Sequence, residues 1–173
     1  MSDYKYAQKY DKENMARAVG IALPISTKQS VEVCAKLRNK KLDSAKKILA
    51  DAIKKKRPIR FTRFHGDTGH KRGKLGPGRY CVKTCTEILK LLNAAETNAQ
   101  HKGLSTASLE ICHICAHKAG KQWHYGRFRR RRMKRTHVEI YLKETEKKDQ
   151  KIKIERKKSE KNKIEEEKIK ENN

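Results

Sequence analysis

Residues 109–142, LEICHICAHKAGKQWHYGRFRRRRMKRTHVEIYL, place an alternating apolar segment on each side of an intensely basic loop. Both flanks read as strands. In the first, Leu109, Ile111, His113 and Cys115 fall on one face, and Glu110, Cys112, Ile114 and Ala116 on the other; in the return, Val138, Ile140 and Leu142 alternate with His137, Glu139 and Tyr141. Between them stand nine basic residues and no acid: Lys118, Lys121, Arg127, Arg129, Arg130, Arg131, Arg132, Lys134 and Arg135. Trp123, His124, Tyr125 and Phe128 are interleaved among them. An unpaired cation in an apolar interior costs several kcal/mol, so this segment cannot enter a core. It predicts a protruding basic β-hairpin. If both arms stay paired beyond Lys118, the tip reaches roughly 25 Å past the sheet, and a loop of that reach implies a partner.

The partner's chemistry follows from charge. The chain of 173 residues carries 45 Lys and Arg against 20 Asp and Glu, a net charge of +25. From Lys143 onward lie 12 of those cations and 9 of the acids with a few scattered isoleucines, which leaves 33 and 11 for residues 1–142, a net +22. Such a body repels itself and is relieved by a polyanion, of which nucleic acid is the leading case. A membrane surface is disfavoured, because the cations sit in loops and a hairpin and no strongly amphipathic helix is present. The N-terminus has no apolar run resembling a signal peptide, and five cysteines are an odd number, so an intracellular protein without a disulfide framework is expected.

Met1–Asn14, with Tyr4, Tyr6 and Tyr10 among lysines, reads either as a loose arm or as a segment that docks on a partner and stacks its phenols on bases. Ala16–Leu23, stopped by Pro24, suits an edge strand. Ser26 and Gln29 have the spacing of a capping box and open a short amphipathic helix ending near Asn39. Asp43 is placed to cap a second helix, with Ala45, Ile48, Leu49, Ala52 and Ile53 on one face and Pro58 as its stop. Arg60–Tyr80, with five glycines, reads as a basic loop in which glycine admits close backbone approach; Arg60, Arg63, His65, Lys71, Arg72, Lys74 and Arg79 are its candidate phosphate contacts. Cys81–Lys102 reads as the longest helix, ended at Gly103 by a left-handed cap. The expected fold class is α+β: a small antiparallel three-stranded sheet with three helices packed on it and the long hairpin protruding. The expected divisions are an arm at 1–15, one domain at 16–142 that includes the hairpin 109–142, and a charged low-complexity tail at 143–173.

Two chemistries are set aside. Cys112 and Cys115 form a Cys-x-x-Cys pair, with Cys81, Cys85, His113 and His117 elsewhere, but residues three apart on a regular strand point to opposite faces, so no metal site is expected and the thiols are read as packing residues. A nuclease needs positioned acids and bases or a carboxylate pair for a metal, and Asp67 is the only acid in either basic segment, so no enzyme and no cofactor are expected.

The phrases Pro58-Ile-Arg-Phe, Phe64-His-Gly-Asp-Thr-Gly-His, Asn93-Ala-Ala-Glu-Thr-Asn-Ala with Lys102-Gly-Leu, His113-Ile, His117-Lys-Ala and Thr136-His-Val-Glu-Ile run in order from about Ala16 to Leu142. Together they resemble the large-subunit ribosomal protein family numbered twenty-two in the universal scheme, seventeen in eukaryotic usage, in its eukaryotic and archaeal form. The resemblance implies an α+β body on large-subunit rRNA, beside neighbouring ribosomal proteins, near the exit of the peptide tunnel. It also implies a hairpin lining that tunnel, with Lys118, Lys121, Arg127 and Arg129–Arg132 against rRNA and the tip near Trp123–Arg130 approaching the nascent polypeptide. The setting would be the cytoplasmic ribosome, with nuclear or nucleolar assembly in a eukaryote. The rival class is a free-standing RNA or DNA chaperone or regulator that uses the hairpin as a groove-entering ribbon.

Overall fold

The structure, a computed structural model, describes residues 4–145; the expectation for the tail lies outside these beyond Thr145. Its main sheet is formed by β1 (Met15–Leu23), β5 (Leu109–Lys118) and β6 (Thr136–Glu144), antiparallel in the order β1-β6-β5. β1 lies at an edge, the position that the following Pro24 suits. Three helices, α1 (Thr27–Leu37), α2 (Leu42–Ile53) and α3 (Val82–His101), supply the other side of the core. α3 lies over β1 and β6, α1 over β5, and α2 against α3. Val33, Leu37, Leu49, Ile88, Leu92 and Ile140 are completely buried at the junction. Side chains of this size each contribute about 1.5–3 kcal/mol by leaving water.

Helix starts depart from the expected chemistry. Ser26 is the N-cap of α1 but makes no side-chain cap bond, and the Gln29 side chain, expected to complete a capping box, instead accepts a hydrogen bond from Thr84 of α3 at 3.2 Å. Asp43 lies inside the first turn of α2, where Lys41 is the N-cap, and there its charge favours the helix dipole instead of capping. α3 ends as expected. Gly103 takes φ +75°, Gly103 N–H donates to Gln100 O at 2.9 Å and Leu104 N–H to Ala99 O at 3.1 Å, the paired bonds of a Schellman cap.

The strict alternation expected in β5 is broken. Ile111 pairs with Leu142 and His113 with Tyr141, so Cys112 is an extra residue, a β-bulge. One extra residue inverts a period of two. Leu109, Ile111 and Ile114 are therefore the buried core residues, while His113 and Cys115, expected beside Leu109 and Ile111, lie out of phase with them and close to Glu139 of β6.

β6 is buried on both faces. Val138, Ile140 and Leu142 belong to the core, and Glu139 and Tyr141 are fully buried as well. The N-terminal arm supplies their cover. Tyr6 stands edge-on to Tyr141 with ring centroids 5.7 Å apart, the Tyr141 hydroxyl donates to Gln8 O at 3.1 Å, and Ala7 N–H donates to a Glu139 oxygen at 3.3 Å. The Arg17 guanidinium lies 4.3 Å from the Tyr6 ring and 4.4 Å from the Tyr10 ring. Lys102 Nζ donates to Lys12 O at 3.1 Å and Met15 O at 3.0 Å. The arm thus docks on its own sheet: its phenols meet Arg17, which alternates with the buried Ala16 and Ala18. Burial by itself raises the Glu139 carboxyl, but hydrogen bonds from His113, His117 and Ala7 outweigh it and hold the group below the usual carboxylate value.

Residues 60–80 are not an unstructured loop. β2 (Ile59–Arg60), β3 (His70–Lys71) and β4 (Gly76–Arg79) form a second antiparallel sheet in the order β2-β4-β3. Close backbone approach explains one glycine here: a Cβ on Gly78 would stand 3.1 Å from Ile59 O, whereas Gly66, Gly69, Gly73 and Gly76 have open space around them.

Candidate nucleic-acid interface

The two basic segments are built differently and meet at one place. In the second sheet, Arg60 and Arg79 come from paired strands, and Arg63 and His65 from the turn that follows β2. That turn is held from beneath by Glu32 of α1, itself 2 % exposed. One Glu32 oxygen accepts from Arg63 N–H at 2.7 Å and Phe64 N–H at 2.8 Å, the other from Thr62 N–H at 3.1 Å and the Thr62 hydroxyl at 3.2 Å. Burial raises this carboxyl, yet the three backbone donors and the hydroxyl prevail and set it below its ordinary value. His65 Nδ1 lies 2.8 Å from Thr62 O, closing the turn. Lys71 ends β3, and Arg72 and Lys74 occupy the connection to β4.

The hairpin is less rigid in construction. Past Lys118 and Thr136 the arms remain tied by Ala119 N–H to Arg135 O at 3.3 Å, Met133 N–H to Gln122 O at 2.8 Å, His124 N–H to Arg131 O at 2.9 Å and a Trp123–Arg132 bridge. A short 3-10 turn, Gly126–Phe128, forms the tip. Trp123, Tyr125 and Phe128 are exposed there, Tyr125 by 88 %. The Arg132 guanidinium lies 4.4 Å from the Trp123 ring and Arg131 5.3 Å from Phe128. Large exposed aromatic rings stacked with arginine are costly to leave in water and are suited to bases, whose faces stack on either partner.

A cleft of about 460 Å³ brings the segments together: Lys28 and Gln29 of α1, Arg63, Phe64 and the single acid Asp67 of the β2–β3 connection, Arg79 of β4 and Lys134 of the hairpin line it. A second, of about 500 Å³, runs along the return arm, where His124, Arg131, Arg132, Lys134 and Arg135 face Lys83 and Pro24. Lys134 lines both. The remaining candidates do not line either cleft: Arg60, His65, Lys71, Arg72 and Lys74 lie around the second sheet, Lys118 and Lys121 on the outgoing arm, and Trp123, Tyr125, Arg127, Arg129 and Arg130 at or near the tip. Among the described residues, ion pairs engage Lys46, Lys90, His113 and His117, none of them a candidate contact. Arg79 donates to Asp67 O at 3.4 Å, and no candidate cation is neutralised by a carboxylate among the described residues, which leaves their charge available to an outside anion.

Sequence reasoning passes over Lys28, Lys83 and Glu32. For the first two no signal exists, since a lysine on a helix is ordinary; Gln29 is visible, but as a cap residue. Glu32 has one available signal: it is an acid among the apolar residues Val31, Val33 and Cys34 of α1.

Comparison with known proteins now decides the class. The family described as Ribosomal protein L22p/L17e matches residues 18–143, from within β1 to the last residue but one of β6. The chain belongs to this family. Relatives include the large ribosomal subunit protein uL22 of Methanocaldococcus jannaschii, 44 % identical over 120 residues, 68 % of this chain and 77 % of the relative. The uL22 of Staphylothermus marinus is 39 % identical over 157 residues, 84 % of this chain and all of the relative. That of Methanosphaera stadtmanae is 38 % identical over 148 residues, 82 % and 96 % of the two chains. L22p/L17e proteins are structural constituents of the large ribosomal subunit and not enzymes, so the two clefts are to be read as contact surfaces and not as catalytic sites.

Proposed function

We propose that this chain is seated on large-subunit rRNA by its second sheet and hairpin root, beside neighbouring large-subunit proteins, and that its hairpin extends along the polypeptide exit tunnel with residues 123–130 facing the nascent chain. The observation that carries the reading is the cleft where Arg63, Arg79 and Lys134 converge from two segments distant in sequence. With Lys28 they outnumber the one acid of the cleft, Asp67, by four to one, and a phosphate backbone between them relieves the remaining repulsion while fixing position without reading sequence. Aromatic rings at the tip supply stacking for unpaired bases or contact for an emerging peptide. The protein then works in the cytoplasmic ribosome, after nucleolar assembly if the cell is eukaryotic. Among the described residues no helix is long and apolar enough to cross a membrane.

Sedimentation in high salt tests the reading. Stable migration with large subunits, and rRNA protection around the Arg63–Lys134 cleft in hydroxyl-radical footprinting of those subunits, are expected. A soluble monomeric pool with no subunit-bound fraction would favour the free-standing chaperone.

A further inference from the structure

The bulge at Cys112 has placed His113, Cys115 and His117 at alternate positions beside Glu139 of the neighbouring strand. His113 Nε2 lies 3.0 Å and His117 Nε2 3.1 Å from the same Glu139 oxygen. The other oxygen of that carboxylate is engaged by Ala7 N–H. Ligand atoms of His113, Cys115 and Glu139 all lie within 4.8 Å of one another. Two histidines donating to a carboxylate make a satisfied cluster without anything further, but Cys115 is not accounted for by it. Its thiol is half-buried and has no hydrogen-bond partner among the described residues, whereas Cys112 Sγ donates to Tyr141 O at 3.4 Å.

We propose that His113, Cys115 and Glu139 form a binding site for a divalent d-block cation of the zinc type, with His117, which meets Glu139 but lies outside that three-residue group, turning in as the fourth donor. Imidazole, thiolate and one carboxylate oxygen are the mixed donors that zinc accepts in four-coordination, and calcium or magnesium, which require many oxygens, are poorly served. Tetrahedral zinc sets neighbouring nitrogen, oxygen and sulfur ligands about 3.4–3.6 Å apart. The imidazole–carboxylate separations, 3.0 and 3.1 Å, are near that value, and the three donors of His113, Cys115 and Glu139, all within 4.8 Å of one another, have at most about 1.4 Å to close. The Ala7 N–H, by fixing one carboxylate oxygen, orients the other toward the ion, the usual task of an outer partner at a metal site. His117 is the most open of the donors, its side chain 42 % exposed, and leaves a path for entry. The ion would join β5 to β6 close to the point where the hairpin leaves the body, adding a cross-strand link to a ladder that a bulge has interrupted. On a regular strand, parity separates Cys115 from Cys112 and rejects a metal; the bulge removes that parity, and the donors come from a different set.

The test uses the purified full chain, stripped with chelator and exchanged into chelator-free buffer. Titration with Co²⁺ is expected to saturate at one equivalent with the strong visible bands of a tetrahedral centre and a near-ultraviolet thiolate-to-cobalt band. Cys115→Ser should abolish the thiolate band and, with zinc in competition against a chromophoric chelator, lower affinity roughly tenfold or more. Cys112→Ser should leave both unchanged, and His117→Gln should weaken binding while keeping the thiolate band. As a measurement independent of any variant's folding, one equivalent of zinc should slow alkylation of Cys115 in the wild-type chain, with Cys112 little affected, read by peptide mass spectrometry. A six-coordinate cobalt spectrum, zinc affinity unaltered by Cys115→Ser, a thiolate band that disappears with Cys112 instead, or Cys115 alkylation unaffected by zinc would each overturn the site.

Discussion

The two basic segments of this protein carry similar residues on opposite kinds of support. Arg63 sits on a turn whose three consecutive N–H groups are gripped by a buried glutamate, within a small sheet of its own. Arg131 and Arg132 sit on a thin ribbon whose arms exchange a few hydrogen bonds and whose cations lie against exposed rings. The first arrangement is preorganised, so little entropy remains to be lost when a phosphate is bound; the second is held by fewer bonds, and its exposed side chains have more freedom to lose against a partner. We read the first as the anchor and the second as the probe.

The largest effect should come from the anchor's support. Glu32→Gln removes a charged acceptor from three backbone donors and a hydroxyl, and since hydrogen bonds to charged groups are worth about 1.5–3 kcal/mol each, a loss of about 2–4 kcal/mol in urea unfolding is expected. A loss below about 0.5 kcal/mol would mean the turn stands without its clasp, and the contrast with the hairpin would disappear.

Next in size is the exchange of charge. Neutralising Arg60, Arg63, Lys71, Arg72 and Lys74 should weaken incorporation into large subunits and flatten the salt dependence of rRNA binding by about one unit of slope for each phosphate that no longer meets a cation. Replacing residues 122–132 by Asn-Gly, which removes five arginines but can close the hairpin with a two-residue turn, should leave incorporation intact and alter nascent-chain passage in a stalling assay. The reverse pattern would show that the hairpin is the anchor.

A smaller, sharper prediction concerns pH. The Glu32 carboxyl lies below its ordinary value in the fold, so its contribution is complete above the unfolded carboxylate range near pH 4.3–4.5 and is lost as pH falls through the lower folded value. The stability difference between wild type and Glu32→Gln should therefore be flat above about pH 5.5 and shrink in acid. A constant difference down to about pH 3 would remove the charge from the explanation.

The smallest effect should be at the tip. Trp123 is the chain's only tryptophan, so its emission reports this region alone. Arg132→Gln removes the guanidinium over that ring and should shift the emission while changing global stability by less than about 1 kcal/mol. A larger loss would show the ribbon to be as tightly built as the anchor.

Charge and period, both local in the chain, determined a great deal. Nine cations without an acid cannot be buried, which sets 118–135 outside the core, and the stripe of α2 identifies Ala45, Leu49 and Ala52 as interior residues wherever that helix packs. The phrases from Pro58 to Ile140 were also sufficient to indicate the family. Tertiary structure decided what depends on a count or on a distant partner. One extra residue at Cys112 reverses the faces of β5, and nothing in the residue types marks it, because cysteine, histidine and isoleucine are acceptable on either side of a half-buried strand. The basic loop became a sheet only because β2 finds β4 across some twenty residues and Gly78 lets Ile59 O approach. Glu32 found its donors 30 to 32 residues away, and the arm found Glu139 and Tyr141 more than 130 residues along the chain. Pairings of that range are set by which surfaces the core leaves free, and local sequence carries no record of that choice.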